Sequence, residues 1–387
     1  MSVPKLRFKE FNGDWRGKKI GDISQCIVPG RNKPKLFDGD IPWVTTPDLK
    51  GKTYVSDTGS NYYISEEEAK SVGSKIVPIN SVIMSCVGDL GLFAINTKPV
   101  VINQQLHAFI LDDYKYSSIF VLNALSKNQD YIEKVATKTA LPYLNKDNCN
   151  SIPLFLCTFQ EQTKIASFLS EVDEKISQLT QKHELLSQYK QGMMQKLFSQ
   201  QIRFKADDGS EFGDWENISV KEIFDVTRGQ VLAVSNTVSV ADTDYKYPVF
   251  SSQTKQKGLM GFYKKYLFED ALTWTTDGAN AGDVNFRKGK FYCTNVCGVL
   301  LSKKGYANLC IAEILNKVTH KYVSYVGNPK LMNNVMSEIP ITIPSNLEEQ
   351  TKIANFISAI DQKIEVVAQQ IEQAKQWKKG LLQQMFV

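Results

Sequence analysis

One stretch of this 387-residue chain occurs twice. Residues 161–198 (EQTKIASFLSEVDEKISQLTQKHELLSQYKQGMMQKLF) align without a gap to residues 349–386 (EQTKIANFISAIDQKIEVVAQQIEQAKQWKKGLLQQMF), Glu161 onto Glu349 and Phe198 onto Phe386. Self-similarity at a fixed offset means two copies of one structural plan. Neither copy contains proline, and the apolar residues recur in steps of four and three. In the first they are Ile165, Leu169, Val172, Ile176, Leu179, Leu186 and Met193; in the second Ile353, Ile357, Ile360, Ile364, Val367, Ile371 and Leu381. That alternation is the heptad seam of a coiled coil. Roughly 38 residues at about 1.5 Å each give a rod of about 57 Å, several times an average helix of about three turns. Two seams in one chain are covered most simply by each other. Each follows a globular segment of similar length, so an antiparallel coiled coil with pseudo-twofold symmetry is expected. His183, Lys190 and Lys378 also fall on the seams. The lysines are expected to run out to water, their stems lying on apolar surface.

The segments before the helices share a frame. Arg7-Phe8 and Gly13-Asp14-Trp15 return as Arg203-Phe204 and Gly213-Asp214-Trp215, and each segment closes on an Ile-Pro, Ile152-Pro153 and Ile339-Pro340. Proline there is expected to stop the preceding strand and set the chain direction into the helix. The interiors, about 24–150 and 225–335, have diverged. Residues 41–46, 74–86 and 90–95 read as strands broken by Pro, Asn and Gly, as do 246–252, 271–276 and 290–302; residues 119–134 and 307–318 read as helix. The fold class is therefore α+β, with globular segments at 1–160 and 199–348 and long helices at 161–198 and 349–387.

Hydrophobic residues make up 42% of the chain, enough for real cores. No apolar run reaches the roughly 18 residues of a membrane span, and the N-terminus lacks a signal peptide's apolar core. Seven irregularly spaced cysteines point to reduced thiols and a cytoplasmic protein. Cys293 and Cys297 form the tightest pair, with no second pair nearby, so no metal is expected. The net charge of +5 is mild for a chain that would hold nucleic acid tightly by itself.

A catalytic constellation is missing. There is no GxGxxG opening a helix, no phosphate-binding GxxxxGK[ST] and no HExxH. Three histidines, His107, His183 and His320, leave few candidates for acid–base work. The glycine-rich run Asp277–Gly282 reads as a tight polar turn. What the interiors do hold is polar clusters in loops: Arg31, Lys33 and Lys35; Thr45 and Thr46; Ser85; Asn103 and Gln104; then Arg228; Ser252 and Gln253; Thr275 and Thr276; Asn280; and Asn295. Arg, Asn and Gln can bond base edges bidentately, and Ser, Thr and Lys reach bases or phosphates. A constant frame around variable interiors is what a reader of two different sequences needs, so these are the candidate DNA-binding residues.

These pieces together resemble the specificity subunit of type I restriction-modification systems. The resemblance rests on the two GDW openings, the LNKDNCNSIPLFL and MNNVMSEIPITIP closings, the two EQTKIA helix starts, and the PWVTTPDL and LTWTTDGANAG segments. It covers nearly the whole chain. Cys157-Thr158 stand where the family usually has prolines. The resemblance implies two target-recognition domains, each reading one half of an asymmetric bipartite site in double-stranded DNA. The helices would act as a ruler and dock two modification subunits. A rod of about 57 Å can hold two modules one turn of B-DNA, about 34 Å, apart. S-adenosylmethionine, ATP and Mg are expected in the modification and restriction/translocase subunits, with no cofactor in this chain and no membrane partner. Two other readings stay open: a standalone DNA-modifying enzyme, which would have to bind S-adenosylmethionine itself, and a coiled-coil assembly protein, which would bind no DNA even with partners.

Overall fold

A computed structural model describes residues 3–30, 32–252 and 256–387. Two compact units emerge, one of residues 1–180 with 369–387, the other of residues 181–368. The division cuts through both long helices, Phe159–Phe198 and Leu347–Met385, so each unit contains a part of each. Both helices begin two residues ahead of the EQTKIA repeat. Thr158 supplies the first start, its Oγ1 accepting the Glu161 N–H at 3.4 Å, and Asn346 the second, its Oδ1 accepting the Glu348 N–H at 2.7 Å. A short oxygen-bearing side chain is what an unpaired first-turn N–H calls for. Thr158 therefore does the capping in a linker without proline.

The repeated Glu-Gln explains the repeated frame. In the first unit Glu161, 1% exposed, accepts two bonds from Arg7, at 2.7 Å from Nε and 2.8 Å from Nη2, and a third from the Trp15 indole at 3.3 Å. In the second, Glu349 holds Arg203 the same way, at 3.0 and 2.8 Å. A buried carboxylate is tolerated only when paired and hydrogen-bonded, and the first turn of a helix favours negative charge. The next residue is buried as well. Gln162 donates to the Cys157 carbonyl at 3.0 Å and accepts the Ser117 N–H at 3.1 Å; Gln350 donates to the Pro344 carbonyl and accepts from Asn308, both at 2.8 Å. Phe8 meets Phe168 edge-on at 5.8 Å, and Phe204 meets Phe356 at the same distance. The Arg-Phe pair thus straps each globular segment to the start of its own helix.

Within each unit the helix segments pair antiparallel. Ile165, Leu169 and Val172 share a core with Leu381, Met385 and Phe386 in the first; Ile353 and Ile357 pack with Met194 and Phe198 in the second. The other seam positions Leu179, Ile360, Val367 and Ile371 are buried, and Ile176, Leu186, Met193 and Ile364 half-buried. The seam lysines do not run out to water. Lys378 bonds Asp173 at 2.5 Å in the first unit, and Lys190 bonds Asp361 at 2.7 Å in the second. Lys190 and Lys378 are repeat equivalents, as are Asp173 and Asp361, so one polar device sets the register twice. Asp173→Lys is expected to lower the first unit's stability by about 1 kcal/mol, since these groups are partly screened, and adding Lys378→Asp to recover most of it. A double-mutant cycle by urea unfolding checks this; strictly additive losses would remove the pair from any role in register.

Each interior opens and closes on a two-stranded sheet, Arg16–Lys19 against Pro153–Leu156 and Trp215–Ser219 against Pro340–Pro344. Here the Ile-Pro junctions differ from expectation. The proline opens the closing strand, and a short helix rather than a strand precedes it, Lys146–Asn150 and Asn333–Glu338. Proline is acceptable as a strand's first residue because no ladder bond is needed from it. Between the junctions the two units part company. The first has a five-stranded sheet in the order Ser24–Ile27, Leu106–Leu111, Val82–Ser85, Phe93–Asn96, Tyr54–Val55, and a four-stranded sheet centred on Ile41–Val44 and Val100–Ile102. The second has one six-stranded sheet in the order Asp225–Arg228, Cys297–Leu301, Phe268–Thr275, Val284–Cys293, Tyr247–Phe250, Leu259–Tyr263. Helix Ser118–Ser126 backs the first core and Leu309–Val318 the second.

Candidate nucleic-acid interface

In the first unit the loop after Ile27 carries the exposed Lys33 and Lys35; Arg31 lies outside the described residues. The loop is pinned from below. Glu68 accepts the backbone N–H of Lys35 at 2.5 Å and of Leu36 at 3.3 Å, and the Lys35 bond holds its carboxyl below the usual range. The Gln104 amide donates to the Asn32 carbonyl at 2.9 Å. Gln104 is thus spent on shaping the loop, and the two lysines project from it. Beside them Phe37 stacks on Tyr62 at 4.5 Å, both rings partly exposed, with Trp43 behind. Exposed lysines of this kind suit DNA phosphates.

The other first-unit candidates are engaged inside the fold. The Thr45 N–H and hydroxyl both bond Asp48, at 2.8 and 2.7 Å, closing the turn into a short helix. The Thr46 hydroxyl donates to Gln105 Oε1 at 3.1 Å, and Asn103 Oδ1 accepts the Gln105 N–H at 3.1 Å. Ser85 is fully buried, donating to the Asp89 carbonyl and accepting the Leu92 N–H. Small polar residues that close turns look the same in sequence as small polar residues that read bases.

In the second unit Thr275 and Asn280 line a polar cavity of about 200 Å³ with Ser251, Asp283, Asn285 and Arg287. Arg287, missed in the sequence, dominates it. Its Nε donates to Thr273 Oγ1 at 2.9 Å, its Nη2 to the Lys257 carbonyl at 2.6 Å, and its guanidinium lies 3.7 Å from the Phe250 ring centroid. Burial lowers its pKa to about 10, which leaves it charged at neutral pH. Thr276 is buried and bonds Asp277 at 2.6 Å, part of the turn read from Asp277–Gly282, where Gly278 and Gly282 have φ of 97° and 96°. Arg228 and Ser252 are half-buried and Asn295 is exposed; Gln253 lies outside the described residues. Arg228 reaches Asn333 Oδ1 at 3.4 Å.

The second unit also presents a lysine–tyrosine surface that the sequence reading passed over. Lys246, Lys264 and Lys290 lie 5.3, 4.8 and 4.7 Å from the rings of Tyr247, Tyr245 and Tyr266, and Tyr247 and Tyr266 are 5.1 Å apart. The signal was present in YKYP at 245–248, YKKY at 263–266 and KGKFY at 288–292. A small net charge hides it, because acidic residues elsewhere offset the lysines.

The family description "Type I restriction modification DNA specificity domain" matches residues 12–188 and again residues 213–376. The chain is 24% identical to the type I restriction enzyme MjaVIII specificity subunit of Methanocaldococcus jannaschii over 97% of this chain and 94% of that one. A putative type I specificity subunit of Mycoplasma pneumoniae is 35% identical over 41% of this chain and 43% of its own length. Among solved structures, the S subunit of the type I restriction-modification system of M. genitalium superposes with a TM-score of 0.64 at 17% identity, covering 100% of this chain and 99% of that one. The chain therefore belongs to the type I restriction-modification DNA specificity family, as a specificity subunit and not as a catalytic chain.

Proposed function

We propose that each unit reads one half of an asymmetric, bipartite site in double-stranded DNA. The observation that carries this is the contrast inside the repeat. The Arg–Glu strap, the buried Gln, the Phe–Phe contact and the seam Lys–Asp pair occur in both units, while the sheets and polar faces they support differ. One mounting with two different faces suits two different half-sites. Phosphate contacts come from Lys33 and Lys35 in the first unit and from the lysine–tyrosine surface in the second; base contacts in the second come from the cavity around Arg287, Thr275 and Asn280. Two modification subunits dock on the long helices, whose exposed Leu185, Tyr189, Val366 and Trp377 offer apolar surface outside the seam. These subunits and the restriction/translocase subunits carry S-adenosylmethionine, ATP and Mg, and the assembly works in the cytoplasm.

The double variant Lys264→Glu/Lys290→Glu is expected to weaken DNA binding by the assembled complex about tenfold or more at moderate salt. It should also flatten the dependence of log K on log salt by about two, since each phosphate contact contributes about 0.9. Fluorescence anisotropy over a salt series checks this. An unchanged slope would remove this surface from the interface.

A further inference from the structure

The fold gathers three metal-ligating side chains that are far apart in sequence. Cys86 follows strand Val82–Ser85, His107 lies on Leu106–Leu111, and Cys149 lies on the short helix Lys146–Asn150. One donor atom of each falls within 4.8 Å of the other two, and all three residues are buried. The two sulfurs are 3.5 Å apart. Two thiolates on one tetrahedral zinc, at about 2.3 Å each, stand about 3.8 Å apart. For the sulfur pair, a few tenths of an ångström separate the observed spacing from a liganded one.

The imidazole adds an independent sign. His107 Nδ1 is buried with no hydrogen-bond partner among the described residues. A buried polar atom without a partner costs stability and calls for an explanation. Cys26 lies outside this group of three, its thiol directed at the Ile27 carbonyl at 4.0 Å, and is the candidate for a fourth donor. It sits opposite Phe109 in the antiparallel pairing of Ser24–Ile27 with Leu106–Leu111. Its side chain therefore rises from the same sheet face as His107, two residues from Phe109, and it packs against the core that contains Cys86 and Cys149.

We propose that Cys86, His107 and Cys149 bind a structural divalent cation of the zinc class, with the Cys26 thiol turning from the Ile27 carbonyl to close the fourth position. Two or three sulfurs and one imidazole nitrogen are the donor set that zinc takes in closed tetrahedral sites. The ion would tie three strands of the five-stranded sheet to the helix that leads into Pro153–Leu156, fixing the closing strand of the first unit. Linear spacing had directed attention to Cys293 and Cys297, which gain no third ligand of this kind among the described residues.

The test uses the full chain, purified with its partner subunits from zinc-supplemented cells and never exposed to chelator. Elemental mass spectrometry is expected to find about one zinc per chain. Replacement by cobalt should give the intense near-ultraviolet thiolate-to-cobalt absorption. Cys86→Ser and Cys149→Ser should lose the metal, and Cys310→Ser should keep it. Should the first two variants fail to fold, chelation of the wild-type chain decides: zinc release should expose two or more thiols to a thiol reagent. Zinc well below stoichiometry with no thiolate–cobalt band overturns the proposal, as does equal zinc in Cys86→Ser and wild type.

Discussion

Glu161→Ala is expected to cost the first unit about 3–5 kcal/mol, because truncating one partner of a buried ion pair leaves the other charge uncompensated. Glu161 is 1% exposed and the Arg7 side chain 14%, so water cannot replace the lost carboxylate. The Trp15 indole loses its acceptor in the same step. Against a domain stability of about 5–15 kcal/mol, this puts the opening strand and the strap near the edge of unfolding. The loss should be confined to one unit. Glu349→Ala should do the same to the second unit by freeing Arg203. Hydrogen exchange in the full chain resolves the two: protection should fall across residues 7–19 and 153–169 in the first variant and across 203–219 and 340–357 in the second. A cost below about 1 kcal/mol, or protection lost equally in both units, would mean that the repeated Glu-Gln does not carry the frame.

Trp274→Ala is expected to cost the second unit about 3–5 kcal/mol, the range for removing a large aromatic side chain from a core. Trp274 is 1% exposed, and its indole donates to the Leu331 carbonyl at 3.0 Å. Its ring lies so close to Gly298 that a Cβ there would sit 2.1 Å from it, so Gly298→Ala should destabilise the same core by crowding. Trp274 also forms part of the wall of the cavity that holds Arg287. With that cavity contacting DNA as proposed, the variant should lose binding through the second unit while the first keeps its melting transition. Thermal unfolding with hydrogen exchange checks the first statement and footprinting the second; a second unit that melts as wild type would show that neighbouring side chains refill the space.

The long helices were legible because their period is local: seven residues suffice to show a seam. The pairs that fix them were not. Asp173 and Asp361 sit just off the seam, and their meeting with Lys378 and Lys190 depends on an antiparallel register that no local pattern encodes. The Arg-Phe and Glu-Gln repeats were both visible as repeats. Their union spans 154 residues in one unit and 146 in the other, so it required the folded chain. The loops proposed to contact DNA were the least legible part. Thr45, Ser85, Asn103 and Gln104 have the residue types of a reading surface and are used to build turns, whereas Lys33, Lys35, Thr275 and Asn280 lie where a ligand could reach them. Arg287 escaped because it sits mid-strand, and the lysine–tyrosine surface because its lysines come from three separate segments.

The most direct test of the two-reader account is single-molecule sequencing of DNA methylated by the assembled complex. The wild type is compared with a chimera whose residues 220–339 come from another member of the family. Those cuts fall at the opening and closing strands, leaving the straps and the helix seams intact. The account predicts methyladenine at one asymmetric, split motif for the wild type, and a chimera that keeps one half of that motif and replaces the other. A palindromic motif, or a chimera that changes both halves, would contradict it.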